Sequence, residues 1–507
     1  MLTPDYLDTL PDVLVELWRQ VEDDILRDIA RRIGKMPDRD TLTDTAIWQA
    51  WRLEQTQACH QDVLSLLSKY SGKSKAEIQR MLLDAGPTTL SSDDALYQAM
   101  GFTPSAIETN EALNNLLNAG YQQTLGTWQN LTATTAHTVT GEFEHALDRA
   151  WLQISSGAFD YNTAIKRAVD SLAAHMAGVT YPSGHKDTLE VAVRRAVLTG
   201  VNQTAAKLQL ARAEEMGCEF VETSVHSGAR PEHAVWQGKV YHRGGAITYK
   251  GTRYDDFVTA TGYGTGPGLC GWNCRHSFYP YFPGSSTRNY TDEQLAAFNV
   301  RDIEYNGQKY TRYEISQMQR ALERRVRKYK RQYLAEEEAG LDTSASAVKL
   351  KQARLNLNSF VRDTGSQADS SRISVSGFGR SQASKATAIA KKKERLDAVN
   401  NELNQLRQDG IIKSKGSFVS PPAAPEKLIF EREHAFQRIL ERDMSFADAD
   451  EIISHARFAL RQQNGKVLAY YSVDGFVAVR SDGMIYSLGR LDEGGKRLME
   501  VAEKYGF

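Results

Sequence analysis

Apolar residues recur at steps of three and four along the first part of the chain, the spacing of an amphipathic helix. One face of the first such segment carries Leu14, Leu17, Val21, Ile25 and Ile29. The same spacing returns in later segments up to about residue 180. Within this region, Thr103 followed by Pro104 is predicted to begin a helix, with Thr103 as the N-cap. We therefore predict a mostly helical scaffold over residues 1–180, without a catalytic spacing of its own.

The pattern changes after Gly217. Residues 185–217 keep helical spacing, and Gly217 is a natural helix stop. The following runs are short, β-branched or alternating, and separated by glycines, at 220–225, 239–242 and 246–249. This pattern predicts a small mixed α+β core, which the segment GLCGWNCRHSFYPYFPG (268–284) closes.

From Thr311 onward the pattern is helical again and strongly basic. One long helix carries eight Lys or Arg residues against two Glu between Arg312 and Arg331, and a second helix is predicted at 344–361. Residues 364–385 are rich in serine and glycine, which is typical of an extended or mobile linker. A charged helix and the proline pairs at 421–425 then lead to a domain boundary.

The last segment has the pattern of a separate small domain. Two helices are predicted first, REHAFQRILERD and SFADADEIISHARFALRQQ, with Ser445 as the N-cap of the second. Three strands joined by Asp–Gly turns follow, and a helix comes last. The expected fold class is thus multidomain α+β. Its parts are a helical region (1–180), a mixed core with the long basic helix (181–363), a linker (364–427) and a helix–helix–antiparallel-sheet domain (428–507).

Composition narrows the class of protein. Apolar residues make up 41% and charged residues 25% of the 507 residues, as in soluble packed domains. The formal net charge is −1, so any attraction to nucleic acid has to come from local patches. The first segment is acidic and amphipathic, unlike a signal peptide, and no apolar run of about 18 residues occurs. We therefore expect a protein made in a cytoplasm, without a membrane-spanning segment.

Cysteine and histidine cluster in the segment that closes the core. The four cysteines of the chain are too few for a disulfide scaffold and fit a reducing compartment. Cys270, Cys274 and His276, combined with Cys218, His226 or His233, have the residue types of a tetrahedral Zn²⁺ site. The C-x3-C spacing is unspecific, however, and a free cysteine also packs as a small hydrophobe. A structural zinc ion and simple packing therefore both remain open.

A block rich in histidine and arginine, HSGARPEHAVWQG, precedes that segment. Its histidines have the chemistry of metal ligands or of an acid–base pair. Alternatively, the histidines and Arg230 satisfy backbone carbonyls in a region with few regular hydrogen bonds. A zinc-dependent hydrolase centred on His226, His233, Cys270 and Cys274 is kept as one hypothesis.

Together, HSGARPEHAVWQGKVYH and GYGTGPGLCGWNCRHSFYPYFPG resemble the minor capsid protein 2 family of tailed phages, which is related to the Mu F-type head morphogenesis proteins. The resemblance covers about residues 185–335, including QMQRALERRVRKYKR. It implies a virion component on the inside of the capsid, near the portal, that acts in head assembly and in DNA packaging or ejection.

The same resemblance implies partners and roles. The partners are the portal and major capsid proteins and the phage genomic DNA, and the protein passes through the host cytoplasm during assembly. Because no enzymatic activity is established for this core in the family, the resemblance implies no cofactor beyond a structural zinc ion. It also implies structural roles for His226, Arg230, His233, Gln237, Gly238, Asn273 and Arg275.

The basic helix is a candidate DNA-binding element, because its cations wrap more than one face. DNA packed in a head presents a dense lattice of phosphates, and contacts to it would be salt-sensitive and independent of sequence. The alternative is a solvated helix whose cations pair with glutamates. The candidate DNA-binding residues are Arg320, Arg324, Arg325, Arg327, Lys328, Lys330 and Arg331.

The C-terminal domain resembles the barnase/EndoU/colicin/RelE-like nucleases. Its candidate catalytic residues are His434, Arg438, Arg442 and Ser487. A histidine acting as acid and base, with arginines holding a phosphate, supplies what metal-free RNA cleavage requires. The resemblance implies a ribonuclease effector that acts on host RNA in the host cytoplasm after ejection. The alternative is a purely structural virion protein with an inactive tail domain.

Overall fold

The computed structural model describes residues 2–38, 44–175, 178–181, 184–420, 422–423, 425, 427–429, 441 and 444–507. These residues form two compact units, unit 1 (Met1–Ala383) and unit 2 (Ser384–Phe507). The chain is largely helical with several small sheets, which confirms the multidomain α+β fold class. The four-segment division of the chain stays a prediction.

Helices make up most of unit 1. They are α1 (Pro4–Thr9), α2 (Asp12–Gly34), α3 (Thr45–Ala99), α4 (Glu111–Ser155), α5 (Tyr161–His175), α6 (Leu189–Glu215), α7 (Pro231–Ala234), α8 (Phe257–Thr261), α9 (Asp292–Ala297), α10 (Arg312–Glu338) and α11 (Ser344–Thr364). The helix predicted from Leu14 to Ile29 is α2, and its apolar face packs into one core with α3, α4, α5 and α6. Among the described residues, no helix combines the length and the apolar character that crossing a membrane requires.

The prediction that Thr103 caps a helix is wrong. The side chain of Asn110 caps α4 instead, because its Oδ1 accepts the backbone N–H of Leu113 at 3.1 Å. The fully buried Arg212 donates to the carbonyl oxygen of Ser105 at 2.6 Å. This long-range contact fixes the backbone at Ser105, where no helix begins, and a short 3-10 helix follows only at Ile107–Thr109. The local sequence gives no indication of this contact.

Helices α4 and α6 approach each other through a reciprocal pair of glycines and threonines. A Cβ atom on Gly120 would lie 2.2 Å from Oγ1 of Thr204, and one on Gly200 would lie 2.3 Å from Oγ1 of Thr124. Each threonine hydroxyl donates to the carbonyl oxygen of the glycine four residues earlier in its own helix, Thr124 to Gly120 and Thr204 to Gly200, at 2.8 Å each. The absence of a side chain at both glycines therefore sets the distance between the two helices.

We predict that Gly120→Ala destabilises unit 1 by about 1–3 kcal/mol, since the added methyl group overpacks the contact with Thr204. Gly126→Ala is the matched control, because Gly126 lies on the same helix with nothing within 4 Å of its Cβ position. That change should be neutral or stabilise by up to about 1 kcal/mol. Urea unfolding of the two variants measures the difference, and equal stabilities would contradict the close approach.

The strands of unit 1 form one five-stranded sheet and two small ribbons. The strands are β1 (Gly178–Thr180), β2 (Lys186–Thr188), β3 (Phe220–Thr223), β4 (Val240–His242), β5 (Ile247–Tyr249), β6 (Thr252–Asp256), β7 (Phe278–Tyr281), β8 (Ile303–Tyr305) and β9 (Gln308–Tyr310). The sheet has the order β5-β6-β4-β3-β7, and its pairs are antiparallel except for β4 with β6. Strand β4 ends the motif HSGARPEHAVWQGKVYH, and strand β7 lies within GLCGWNCRHSFYPYFPG. Both strands pair with β3, which brings the two motifs together.

Unit 2 is built on an antiparallel meander. Its elements are α12 (Arg380–Gln408), which begins just before the unit boundary, β10 (Ser417–Val419), α13 (Phe446–Ser454), β11 (Phe458–Gln462), β12 (Val467–Ser472), β13 (Gly475–Arg480), β14 (Ile485–Gly489) and α14 (Glu493–Lys504). Helices α12 and α14 cover one face of the sheet, and α13 packs against the other.

One predicted helix in unit 2 extends too far. Ser445 caps α13 as predicted, with a capping box to Asp448, but the helix ends at Ser454. Residues Phe458–Gln462 form a strand that pairs with β10 and β12. Phe458 and Leu460 face one core and Ala459 the other, so the continuous apolar run reflects a strand covered on both faces. The predicted helix REHAFQRILERD lies almost entirely outside the described residues.

Candidate functional site

The two sequence motifs meet beside the sheet of unit 1. His233 lies on the short helix α7, which ends shortly before β4, and His276 lies just before β7. Asn202 on α6 fixes the loop just before β7, because its amide donates to the carbonyl oxygens of Cys274 and His276 at 3.0 Å each. His233, Cys274 and His276 thus come together as a buried group, the His–Cys–His cluster, exposed by 2%, 1% and 1% respectively.

The three ligand atoms of the cluster form a small triangle. Nδ1 of His233 lies 3.3 Å from Nδ1 of His276, and Sγ of Cys274 lies 3.8 Å and 3.7 Å from these two nitrogens. A tetrahedral zinc ion with its usual bond lengths gives edges of about 3.3 Å between nitrogens and about 3.6 Å between nitrogen and sulfur. The triangle therefore has the dimensions of three corners of a zinc tetrahedron.

Hydrogen bonds on the far side of each ring turn the two Nδ1 atoms towards each other. Nε2 of His276 lies 3.0 Å from Oε1 of Gln237, and that oxygen also accepts the backbone N–H of His226. Nε2 of His233 lies 2.8 Å from the carbonyl oxygen of Pro267, which can only accept. We infer that both rings carry their proton on Nε2, so that two unprotonated Nδ1 atoms face each other.

A contact of Arg230 competes for the same nitrogen of His233. Nη2 of Arg230 lies 2.8 Å from Nε2 of His233, a distance that would suit a ring without a proton there. This guanidinium also has the carbonyl oxygens of Pro267 and Trp272 as acceptors, at 3.4 Å each. We assign the proton to Nε2 of His233, facing the carbonyl of Pro267, and this assignment requires the guanidinium of Arg230, which can only donate, to bond the carbonyl oxygens instead of the ring.

Burial keeps the cluster uncharged when no cation is bound. Desolvation lowers the pKa of His233 and, to a greater extent, that of His276, so both rings are neutral at pH 7. Desolvation also raises the pKa of the Cys274 thiol. The ring of Trp236 shields the histidines from solvent, with centroid distances of 4.7 Å and 4.8 Å. Two neutral imidazoles and a thiol are the ligand types that Zn²⁺ takes, with loss of the thiol proton.

The structure corrects the candidate metal ligands, because Cys270 lies outside the cluster. Its Sγ points to the carbonyl oxygen of His276 at 3.6 Å, and its side chain packs among Val221, Trp236 and Phe278. His233, 41 residues before Cys274 in the chain, takes the third corner of the triangle. Cys218 is also apart from the cluster and contacts the carbonyl oxygen of Phe220 at 3.2 Å.

The remaining motif residues shape the surroundings of the cluster. Nη2 of Arg275 contacts Asp8 at 2.6 Å, and its Nη1 lies 3.3 Å from Nε2 of His226. Burial and the charge of Arg275 lower the pKa of His226 to about 4. Gly238 has a φ of 66°, and a Cβ there would lie 2.5 Å from Leu295. Asn273 has a φ of 53° and donates its backbone N–H to Thr199.

The cluster forms part of the wall of a cavity of about 490 Å³. Six arginines line this cavity, against the carboxylates of Asp8 and Glu190. His226 and the first turns of α10 also face it. Sequence reasoning missed the cavity, because its arginines come from five separate segments of the chain.

The structure divides the candidate DNA-binding residues of α10 into two groups. Arg331 forms ion pairs with Glu22 and Asp23 at 2.6 Å each, Arg327 pairs with Glu190, and Lys330 donates to the carbonyl oxygen of Ile373 at 2.5 Å. Arg327 and Lys330 are buried, and the side chain of Arg331 is only 13% exposed, so their interpretation as a DNA-facing surface is corrected. Arg320 lines the cavity and is largely enclosed.

Arg324, Arg325 and Lys328 remain on the outside of α10. They lie within two turns of the helix, and we call them the α10 stripe. In the part of the chain that the structure describes, none of the three has a carboxylate within the 4.0 Å limit of an ion pair. The stripe is therefore a group of accessible cations, in contrast to the neighbouring buried ones.

The candidate ribonuclease residues are described only in part. His434, Arg438 and Arg442 lie outside the described residues. Ser487 lies on β14 opposite Ala478 of β13 and is half-buried. The nuclease assignment therefore stays a prediction from the sequence.

Comparison with known proteins places the chain in a family. The family described as "Phage minor capsid protein 2" matches residues 2–362. The chain is similar to a "Structural protein" of Lactococcus phage LL-H, with 26% identity over 340 residues, 62% of this chain and 86% of the relative. It is also similar to a "Structural protein" of Lactococcus phage mv4, with 42% identity over 81 residues, 16% of this chain and 55% of the relative. No solved structure matches. The matched residues include the His–Cys–His cluster and α10, and the chain belongs to the phage minor capsid protein 2 family as a structural protein of the virion.

Proposed function

We propose that this minor capsid protein contacts the packaged phage genome through the α10 stripe, on the inside of the head. The observation that carries the proposal is the separation of the α10 cations. Arg327 and Arg331 are neutralised by buried carboxylates, whereas Arg324, Arg325 and Lys328 are exposed. Cations without carboxylate partners are available to phosphates, and such contacts do not depend on base sequence.

The arrangement suits a weak, non-specific contact. With a net charge of −1, the whole chain exerts no long-range attraction on DNA, so the stripe acts only at close range. Dense packing of DNA in a head supplies a high local concentration of phosphates. We propose on this basis a role in DNA packaging or ejection and in head assembly.

We predict that the triple variant Arg324→Gln, Arg325→Gln, Lys328→Gln binds a non-specific DNA duplex of about 30 base pairs roughly tenfold more weakly at low salt. The matched control is Lys69→Gln, Lys73→Gln, Lys75→Gln, which removes the same charge from exposed positions on α3. Fluorescence anisotropy at several salt concentrations measures both affinities. Equal losses in the two triple variants, or none in either, would contradict the proposal.

Family membership supports the rest of the functional proposal. We propose the portal and major capsid proteins as the neighbours of the chain in the virion, and the host cytoplasm as its location during assembly. A ribonuclease acting on host RNA through His434, Arg438, Arg442 and Ser487 is a separate prediction. The α10 stripe neither supports nor opposes it.

We also propose that the His–Cys–His cluster holds one Zn²⁺ ion. The three ligand atoms have the spacing of a zinc tetrahedron, and both Nδ1 lone pairs converge. Two such lone pairs at 3.3 Å repel each other unless a proton or a metal cation lies between them, and with both protons on Nε2 a metal cation takes this place. A water molecule or an anion from the cavity would supply the fourth ligand, since all three residues line the cavity.

Three protein ligands with an open fourth position also occur in catalytic zinc sites, but the surroundings of this cluster lead us to propose a structural role for the ion. A zinc hydrolase needs a general base near the metal-bound water, usually a free carboxylate or histidine. Of the two carboxylates in the described wall of the cavity, Asp8 pairs with Arg275 and Glu190 pairs with Arg19 and Arg327. His226 also lines the cavity, but burial and Arg275 lower its pKa to about 4, which leaves it a weak base. The cluster instead ties α7 to the loop before β7, as a metal staple does.

A further inference from the structure

The cavity beside the cluster carries a large excess of positive charge. Its arginines are Arg194, Arg230, Arg275, Arg312, Arg320 and Arg372. Asp8 and Glu190 are the carboxylates of its described wall. The charge of Glu190 is already balanced by ion pairs with Arg19 and Arg327, which do not line the cavity. Six arginines therefore line one space whose described wall holds two carboxylates, and carboxylates outside this wall pair with Arg194 and Arg372.

Arg320 is largely enclosed among these cations. Within the described part of the chain, its guanidinium has neither an ion pair nor a hydrogen bond to another side chain. Burial and the nearby charges of Arg275 and Arg372 lower its pKa to about 10. A cation enclosed among cations destabilises the empty protein, and an anion bound beside it would compensate this charge.

The neighbouring arginines are held in place by contacts on the protein side. Arg194 donates to the carbonyl oxygen of Asp8 at 2.9 Å and to Asp12 at 2.6 Å. Arg275 contacts Asp8 at 2.6 Å, and Nε of Arg372 lies 3.0 Å from Asp369. Groups fixed in this way lose little conformational entropy when a ligand arrives. The cavity is therefore preorganised around the guanidinium of Arg320.

We propose that this arginine cavity binds a phosphate group of a ligand of about nucleotide size. Several guanidinium groups around one point match the oxygens of a phosphate, which accepts paired hydrogen bonds from arginine. Tyr313 and Ser316 also line the cavity and offer hydroxyl groups. The volume of about 490 Å³ exceeds that of a single ion and lies in the range of small-ligand sites. Free nucleotides and phosphorylated strand ends share this chemistry.

Arg324 of the α10 stripe lines a small pocket that adjoins this cavity, together with Arg320. The DNA proposal does not rest on phosphate binding in the cavity, so failure of the one leaves the other untouched. Titration calorimetry of the full chain with inorganic phosphate and with AMP should show saturable binding, and AMP should bind more tightly. Arg320→Gln should weaken both affinities at least tenfold. Arg362→Gln is the matched control, because Arg362 is 75% exposed on α11, away from the cavity.

A thermal unfolding experiment separates ligand binding from a structural role of Arg320. Without phosphate, Arg320→Gln should unfold at the same temperature as the wild type or a higher one, since the change removes a repelled charge. Phosphate should raise the unfolding temperature of the wild type and of Arg362→Gln, but not that of Arg320→Gln. Arg372→Gln provides a second variant of the cavity, with the same loss of the phosphate response expected.

Two oligonucleotides distinguish the sources of the phosphate. A single strand with a 5′-phosphate that binds more tightly than its 5′-hydroxyl counterpart, in an Arg320-dependent manner, identifies a strand end as the ligand. Equal binding of the two strands, together with Arg320-dependent binding of AMP, identifies a free nucleotide. The proposal is overturned if neither phosphate nor AMP binds, or if Arg320→Gln and Arg372→Gln bind them as the wild type does.

Discussion

Replacing Glu190 by glutamine should lower the free energy of unfolding of unit 1 by about 3–5 kcal/mol. Glu190, at the first turn of α6, accepts ion pairs from Arg19 of α2 and Arg327 of α10. The side chains of the two arginines are 5% and 8% exposed. Without the carboxylate, two buried cations lose their counter-ion at the point where three helices meet, and their desolvation is no longer offset.

The pKa of Glu190 gives the pH dependence of this effect. Burial raises the pKa of the carboxyl group, but the charges of Arg327 and Arg19 outweigh burial and lower it to about 2. A lowered folded-state pKa contributes stability above the unfolded value of about 4.3 that is lost as pH falls towards 2. The difference between wild type and Glu190→Gln should therefore be full at pH 7 and shrink below about pH 4.

Tryptophan fluorescence during urea unfolding measures this loss, because all seven tryptophans lie in unit 1. Glu338→Gln is the matched control, since Glu338 pairs with the 48% exposed side chain of Arg31 at 3.1 Å. A partly exposed pair of this kind contributes less than about 1 kcal/mol. If the two variants lost the same stability, Glu190 would not be the counter-ion of a buried junction.

Purified protein should contain about one equivalent of zinc per chain, and Cys274→Ser or His233→Ala should abolish it. Each of these changes removes one of three converging ligand atoms, and loss of a ligand costs more than the roughly 10–100-fold in affinity that loss of a supporting hydrogen bond costs. Because the metal displaces the Cys274 proton, the affinity of the site should also fall as pH is lowered.

Cys270→Ala is the control for the metal prediction. Cys270 is as buried as Cys274, at 1% exposure each, but its sulfur lies outside the ligand triangle. Elemental analysis should find zinc in this variant at the wild-type level. Zinc below about half an equivalent in the wild type, or equal loss in the two cysteine variants, would contradict the proposed ligands.

The sequence predicts local elements well where one face of a segment is buried. Leu14, Val21, Ile25 and Ile29 repeat at helical spacing because α2 packs one face into the core. The strand at Phe458–Gln462 falls within a predicted helix, because its first three residues are all apolar and are buried on both faces of the sheet. Periodicity distinguishes helix from strand only when one face meets solvent.

Contacts between distant parts of the chain account for what the sequence could not predict. The partners of Arg331, Glu22 and Asp23, lie about 300 residues earlier, so a buried cation and an exposed one look alike in the sequence. In the same way, C-x3-C spacing suggested Cys270 as a metal ligand, whereas folding brings His233 to Cys274 and His276. The residue types of the site were predictable, but the choice among them required the fold.

The salt dependence of DNA binding tests most directly whether the α10 stripe contacts the genome. A plot of the logarithm of the association constant against that of the salt concentration has a slope of about −0.9 for each phosphate contact on duplex DNA. We predict that Arg324→Gln, Arg325→Gln, Lys328→Gln reduces the magnitude of the slope by about 2.7 relative to wild type, and that the α3 control leaves it unchanged. An unchanged slope in the α10 variant would contradict DNA contact through the stripe.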